Sequence, residues 1–468
     1  MGLRALLFVD KLRYQDTICA LATPAGLGAV AILRCSGELA RPLTERLLRR
    51  PGGSPLTLKT HRVHIALVVD PESARPIDEV LALYMARPRS FTREDVVEIH
   101  CHGSPVQVRR ILALLVSQGM RLAEPGEFTR RAFLNGRLGL AEAEAINDLV
   151  HAPSEGVADL ALEQLHGSLR QRIASLRARL IDLAALIEAN LDFPEEDIEI
   201  LDRADVCRQV AEIRQDVQLL AESYERGRLL RQGVRVLIAG RANAGKSSLL
   251  NLLLKSERAI VTDVPGTTRD TIEESLTYRG VLFSLIDSAG LRDTAEPVEA
   301  LGVARSLDLM SRVDLVLYLI DASADPADEP LLNAADPVRF QLVLNKLDLE
   351  RRLPADFEAR HARLRPVALS ATSGAGLDAL LAAMHRRALE ELIPAPKGAL
   401  ITSERHRDCL SRAATALEHF QAALSGTIPP DVALVDLYEA TGALGHIIGE
   451  VVTEDILDRV FERFCIGK

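Results

Sequence analysis

Residues Gly240 to Ser247 read GRANAGKS, a G-x-x-x-x-G-K-[ST] pattern set between the apolar stretch VRVLIAG and the segment SLLNLLL. A glycine-rich loop entering a helix turns its backbone N–H groups toward one point, where an anion is stabilised. In that cradle Asn243, Ala244, Gly245 and Ser248 surround phosphate, Lys246 reaches the β- and γ-oxygens, and Ser247 offers its hydroxyl to Mg²⁺.

Four further segments follow in a fixed order. The loop Thr262, Asp263, Val264, Pro265, Gly266, Thr267, Thr268 brings Thr268 to where a second Mg²⁺ ligand is needed once the loop closes. LIDSAGLRD places Asp287 near the metal, Ser288 and Ala289 beside the phosphates, and the Gly290 N–H toward the γ-phosphate. In NKLD (Asn345, Lys346, Leu347, Asp348) the Asp348 carboxylate can accept both the ring N–H and the exocyclic amine of guanine. Adenine lacks that donor pair and would leave the carboxylate unpaired. Ser370, Ala371 and Thr372 of LSAT supply a backbone N–H for the guanine oxygen. Together these segments describe a GTP-binding domain. Yet Leu291 stands where many small GTPases keep a glutamine to orient the attacking water, and leucine can orient nothing.

The elements that must hold these residues are legible as changes of texture. VRVLIAG, LFSLIDSAG, VDLVLYLIDAS and FQLVLNKLD read as short buried strands between helical stretches, the pattern of a parallel α/β sheet. Before them, Leu165, Leu169, Ile173, Leu176, Leu180, Leu183 and Ile187 alternate spacings of four and three, the seam of a long bundle helix. Pro194 ends it. A second seam runs through Val206, Val210, Ile213, Val217, Leu220 and Tyr224, and the two helices are expected to pack antiparallel. Helical patterning resumes after PAPKG, so the α/β domain reads as an insertion into a helical one, with helices from before and after it packed together. Ahead of all this, ICALATPAGLGAVAILRCSG and VVEIHCHGSP read as strands with turns, and PVQVRRILALLVSQG as an amphipathic helix.

A chain of 468 residues accommodates about three domains. With 48% hydrophobic and 26% charged residues it has a globular composition, and a net charge of −10 argues against a protein coated in basic charge. The basic runs RLLRR, RGRLLRQGVR and ERHRDCLSR read as solvated helix faces. Six scattered cysteines without a CxxC pair suit a reducing compartment. No signal-peptide core and no run of roughly 18 apolar residues is present. The expectation is a cytoplasmic protein with no membrane partner.

The glycine loop, the GTTRD segment, TPAGLGAVAILRCSG, SFTREDVVEIHCHGSP, PGEFTRRAFLNGRLGLAEAEAI and the terminal FCIGK together resemble the MnmE (TrmE) family, nearly end to end. The resemblance implies an N-terminal α+β folate-binding and dimerisation domain (1–123), a helical bundle domain in two parts (124–226 and 391–468), and an inserted Ras-like P-loop GTPase domain (227–390). It also implies a homodimer that works with an MnmG (GidA)-type flavoprotein using FAD and NADH. Together they would place an aminomethyl or carboxymethylaminomethyl group on the wobble uridine of certain tRNAs, with a formyl- or methylene-tetrahydrofolate bound.

For hydrolysis, the resemblance replaces the missing glutamine with potassium and pairing of the GTPase domains. Asn243 would bind K⁺ through its side-chain carbonyl, the loop from Thr262 through Val264 to Thr267 would wrap the ion, and Glu299 would orient the water. An arginine finger contributes about 10³–10⁵ in rate, so ion and loop must supply about 4–7 kcal/mol. In the folate domain the resemblance assigns Arg34, Glu98, Arg137 and Lys468 to the cofactor.

Two departures from the family pattern stand out: Ser288 replaces a usual threonine and keeps its hydroxyl, and Gly139 replaces a usual acid. Arg269 and Arg292 read as structural ion pairs, and His100 and His102 as packed, hydrogen-bonded residues of a strand. Cys465 is a thiol that chemistry on a uridine ring could use, with nothing nearby in sequence to activate it. A regulatory switch of the ribosome-assembly kind is the alternative reading, and it leaves the N-terminal domain and FCIGK without a purpose.

Overall fold

The computed structural model describes residues 15–192, 203–255, 260–261, 273–287, 310, 313–324, 330–388, 400–425, 430–462 and 464–468. They divide between two compact units, one drawn from Met1–Asn147, Gln164–Val206 and His419–Lys468, the other from Asp148–Glu163 and Cys207–Glu418.

The first unit is built on strands β1 (Ile18–Leu21), β2 (Val30–Ser36), β3 (Leu48–Arg49), β4 (Val63–Val69), β5 (Pro76–Met85), β6 (Val96–His102) and β7 (Arg121–Leu122), in the order β3-β4-β5-β6-β2-β1-β7. Every pairing is antiparallel except β1 with β7. Alternation decides what each face carries. Ala31, Leu33 and Cys35 of β2 and Val97, Ile99 and Cys101 of β6 are buried in a core that also takes Val108, Ile111 and Leu115 of the helix Pro105–Ser117. Full burial of a side chain such as Leu33 contributes about 1.5–3 kcal/mol. Arg34 and Glu98 point to the opposite face as direct cross-strand partners.

The C-terminal tail is part of this domain. The Phe128 N–H donates to the Lys468 carbonyl at 3.2 Å and the Gly126 N–H to that of Cys465 at 3.5 Å. Gly467 has φ +95°, and a Cβ there would lie 2.1 Å from the Leu21 carbonyl oxygen, so only glycine lets the tail pass this close to β1. Nearby, Arg131 is almost fully buried, which is tolerable because Glu127, Asp16 and Glu94 all accept from its guanidinium.

Both helical seams are buried from Leu169 to Ile187 and from Val206 to Tyr224. The helix Ser168–Asp192 packs along Pro430–Ile448, so segments from before and after the inserted domain do meet. The next helix, Arg203–Glu222, belongs mostly to the other compact unit.

The second unit holds β8 (Val234–Gly240), β9 (Ile260–Val261), β10 (Glu273–Tyr278), β11 (Val281–Asp287), β12 (Leu315–Asp321), β13 (Phe340–Asn345) and β14 (Val367–Ala368), ordered β14-β13-β12-β8-β11-β10-β9. The strands from β14 to β11 run parallel, and β10 and β9 add an antiparallel edge. In β12 all residues from Leu315 to Ile320 are buried, as a sheet covered on both faces requires. The strands β8, β11, β12 and β13 end at Gly240, Asp287, Asp321 and Asn345, so the sheet's carboxyl edge gathers the predicted nucleotide residues.

Candidate functional site

Between β8 and the helix Lys246–Lys255 the glycine loop closes as its sequence demands. Gly245 has φ +97°, and a Cβ there would fall 2.2 Å from the Asn345 amide nitrogen. That approach is used: Asn345 Nδ2 donates to the Ala244 carbonyl at 2.8 Å, while its Oδ1 accepts from the Ala371 N–H at 2.9 Å. One buried amide therefore fastens the phosphate loop to the segment holding Ser370, Ala371 and Thr372. The Lys246 ammonium arches over the loop to the carbonyls of Gly240 (3.0 Å) and Arg241 (2.8 Å). Ser247 and Ser248 are exposed in the first turn of the helix. Asn243 is exposed with φ +62°, and its carboxamide has no hydrogen-bond partner among the described residues.

At the base-binding end Asp348 is exposed, with Ser370 Oγ donating to its Oδ1 at 2.6 Å. Its second oxygen is open to a ligand. Leu347 is tied by its N–H to the Leu369 carbonyl at 3.2 Å. The N–H groups of Ser370 and Ala371 are already taken, by Ala375 and Asn345, so a guanine oxygen must compete for the Ala371 N–H or use that of Thr372.

Lys346, at φ +67°, forms an ion pair with Asp321 at 2.6 Å. Burial pushes the Asp321 carboxyl up, but the bonds from Lys346 and Ser323 outweigh it and hold the group below the usual carboxylate range. Sequence reasoning missed Asp321 and Ser323. Their signal was an aspartate at the carboxyl end of a parallel strand.

Asp287 closes β11 opposite Ile238 of β8, beside the phosphate loop. Thr262 to Thr268, Ser288, Ala289, Gly290, Leu291 and Glu299, with Arg269 and Arg292, lie outside the described residues.

In the first unit a cavity of about 600 Å³ opens among Arg34, Phe91, Glu98 and Arg137, with Arg89 and Arg93 also lining it. The cross-strand register puts Arg34 on Glu98 at 2.9 Å, and His100 meets the same carboxylate at 3.4 Å. Arg34 and Arg137 both approach the Phe91 ring, at 5.5 and 4.9 Å from its centroid. Arg34 also donates to the Gly467 carbonyl at 3.4 Å, which brings the half-buried Lys468 alongside. Burial and the Arg34 charge hold the Lys468 ammonium below the usual lysine range, against a smaller opposite pull from Cys465. Burial, then the charges of Arg93 and Arg34, lowers Arg137 likewise. Arg34, Glu98 and Arg137 thus line one cavity, and Lys468 comes near them through the Arg34–Gly467 contact. Crowded guanidinium groups around an aromatic ring fit a planar, anionic cofactor.

Other residues singled out have quieter surroundings. His102 Nδ1 is 2.6 Å from Asp78, and Cys101 is buried with its thiol pushed up to about 11 by burial. Cys465 is exposed. A Cβ at Gly139 would stand 2.4 Å from Glu142 Oε2, so an acid there would press against another acid.

A parallel sheet whose carboxyl edge carries a GRANAGKS loop, an NKLD strand end and an LSAT turn defines a P-loop GTPase. Sequence models described as "GTP-binding protein TrmE N-terminus" and "MnmE helical domain" match residues 17–137 and 140–465. The tRNA modification GTPase MnmE of Geobacter sulfurreducens is 43% identical over 457 residues, covering 97% of this chain and 99% of that one. That of Geotalea uraniireducens is 42% identical over 460 residues, with coverage of 97% and 99%. The chain belongs to the MnmE (TrmE) family. Among solved structures, the G domain of the T. maritima FeoB iron transporter is similar over 33% of this chain and 99% of that one, at 25% identity. Its TM-score of 0.23 is too low to carry an argument. Among the described residues no helix is long and apolar enough to cross a membrane.

Proposed function

We propose that this GTPase acts in tRNA modification, and that its hydrolysis is activated by potassium. The observation that carries this reading is the pairing, in one chain, of a guanine-specific loop set with a cationic cavity approached by its own C-terminal tail. A ribosome-assembly switch would use the first and have no purpose for the second.

In the proposed hydrolysis Lys246 would leave its loop carbonyls for the β- and γ-phosphates, and Ser247 with Thr268 would hold Mg²⁺. Gly290 donates its N–H to the γ-phosphate and Glu299 orients the water, in place of the glutamine that Leu291 cannot supply. The carboxamide of Asn243, without a partner among the described residues, suits a cation ligand that Thr262, Val264 and Thr267 would complete. When bound there, K⁺ supplies positive charge where negative charge develops between the β- and γ-phosphates.

The cavity would take a 5-formyl- or 5,10-methylene-tetrahydrofolate, with Arg34, Arg137 and Lys468 facing its charged or polar edges and Glu98 its ring N–H groups. That one-carbon unit would serve formation of the aminomethyl or carboxymethylaminomethyl group on the wobble uridine. The reaction would be shared with an MnmG (GidA)-type flavoprotein carrying FAD and using NADH, in a heterotetramer and in the cytoplasm. A homodimer through the N-terminal domains is supported by the exposed apolar face of its sheet. There Ile65 and Leu81 are cross-strand partners, 58% and 44% exposed, beside Val63.

The test is steady-state GTP hydrolysis in KCl and in NaCl at equal ionic strength, with Asn243→Ala as control. A strong K⁺ preference that the substitution abolishes is the expected result. Equal rates in both salts would overturn potassium activation and return attention to Arg269 and Arg292.

A further inference from the structure

The cavity carries more positive charge than its own acid can answer. Four arginines line it, Arg34, Arg89, Arg93 and Arg137, against the single carboxylate of Glu98, which is already engaged by Arg34 and His100. Among the described residues the other three guanidinium groups have no acidic partner. Arg93 Nη1 donates to the Asn135 carbonyl at 3.0 Å and Arg137 Nη1 to the Ser90 carbonyl at 2.9 Å, while the Arg89 side chain has no partner among the described residues. A backbone carbonyl fixes a guanidinium in place without neutralising it. Arg93 and Arg137 are therefore held in position with their charge still available, and mutual repulsion is tolerated where Arg137 sits near Arg93 and Arg34.

These cations are graded in exposure. Arg34 is half-buried beside Phe91, whereas Arg89 and Arg93 are exposed. A ligand that matches the gradient has a planar head for Phe91 and a flexible chain of carboxylates running out toward solvent. A ribonucleotide backbone would instead call for charge spread along an open surface, not collected around one cavity.

We propose that Arg89 and Arg93 form a subsite for an oligo-γ-glutamyl tail, so that the cavity selects polyglutamylated over monoglutamylated folate. This rests on the folate reading of the cavity. Each added glutamate brings one carboxylate, to which an arginine can donate two parallel N–H bonds.

The test is isothermal titration of the full-length protein with 5-formyl-tetrahydrofolate bearing one or five glutamates. The wild-type protein is expected to bind the pentaglutamate at least about tenfold more tightly. The advantage should shrink in Arg89→Ala/Arg93→Ala and with added salt, and survive in part in Arg89→Lys/Arg93→Lys. Circular dichroism melting of each variant checks that it folds. Equal affinity of the wild-type protein for both ligands overturns the tail subsite while leaving the folate reading intact. No binding of either ligand overturns both. Variants that keep the pentaglutamate advantage but lose affinity for tRNA would also overturn the proposal, and would reassign these arginines to RNA.

Discussion

The GRANAGKS loop and the cavity around Phe91 are both built for negative charge, and they are built by opposite means. The loop relies on backbone: a left-handed Gly245, a run of N–H groups at a helix start, and one lysine. Its residues are contiguous because the cradle is a local conformation. The cavity relies on side chains, drawn from β2, β6, the segment around Phe91, Arg137 and the tail at Gly467. Main-chain cradles tolerate little change of backbone but need few charged groups. Side-chain cavities depend on a register and on chain ends arriving correctly. The two should therefore fail independently and in different ways.

The sharpest separation is expected from Lys246→Ala. Single-turnover GTP hydrolysis should fall about 10²–10³-fold, with folate affinity unchanged by titration. Loss of both would mean that the two sites are not separate devices. A somewhat smaller effect is expected from Asp348→Asn. Its amide keeps one acceptor and gains a donor, so guanosine triphosphate should bind about 10²-fold more weakly while xanthosine triphosphate gains. Competition binding with the two nucleotides checks the exchange, and unaltered preference would remove Asp348 from base recognition.

Gly467→Ala attacks the other region. The new methyl would meet the Leu21 carbonyl and displace the tail, at a cost of about 1–3 kcal/mol. Folate affinity should drop about tenfold with GTP turnover intact, and equal affinity would detach the tail from the cavity.

The smallest expected effect concerns Asp321. Its folded pKa is held below the usual carboxylate range, so the Lys346 pair stabilises the fold fully above that range, and the contribution is lost as pH falls through the folded value. At neutral pH Asp321→Asn should cost only about 0.5–1 kcal/mol. Hydrogen exchange at the amides of 345–348 is the readout. The difference from wild type should vanish in acid, and a difference that persists there would assign it to packing.

How much was legible in the sequence follows from the same contrast. Lys246, Asn345 and Asp348 could be placed from contiguous motifs on strand ends, and the buried seam from Leu169 to Ile187 from helical spacing alone. The cluster of Arg34, Glu98, Arg137 and Lys468 came only from family resemblance, since nothing in the spacing of those positions foretells the β2–β6 register that joins Arg34 to Glu98 or the arrival of the tail beside them. Arg89 and Arg93 were not picked out, because a lone arginine in a loop carries no signal until its neighbours are known. The engagement of the Ala371 N–H by Asn345 was equally hidden: it depends on a side-chain rotamer, which motifs do not specify. The meeting of Ser168–Asp192 with Pro430–Ile448 was foreseeable, because an insertion leaves the helices on either side of it free to pack together.

Asn345 has one more implication. Its two amide atoms are the whole of a short strut, with the glycine loop at one tip and the LSAT turn at the other. Neither loop can drift by an ångström without stretching a bond to the other. On the proposed reading of the two loops, a nucleotide that loosened at its phosphates would also loosen at its base, and departure would become one event instead of two.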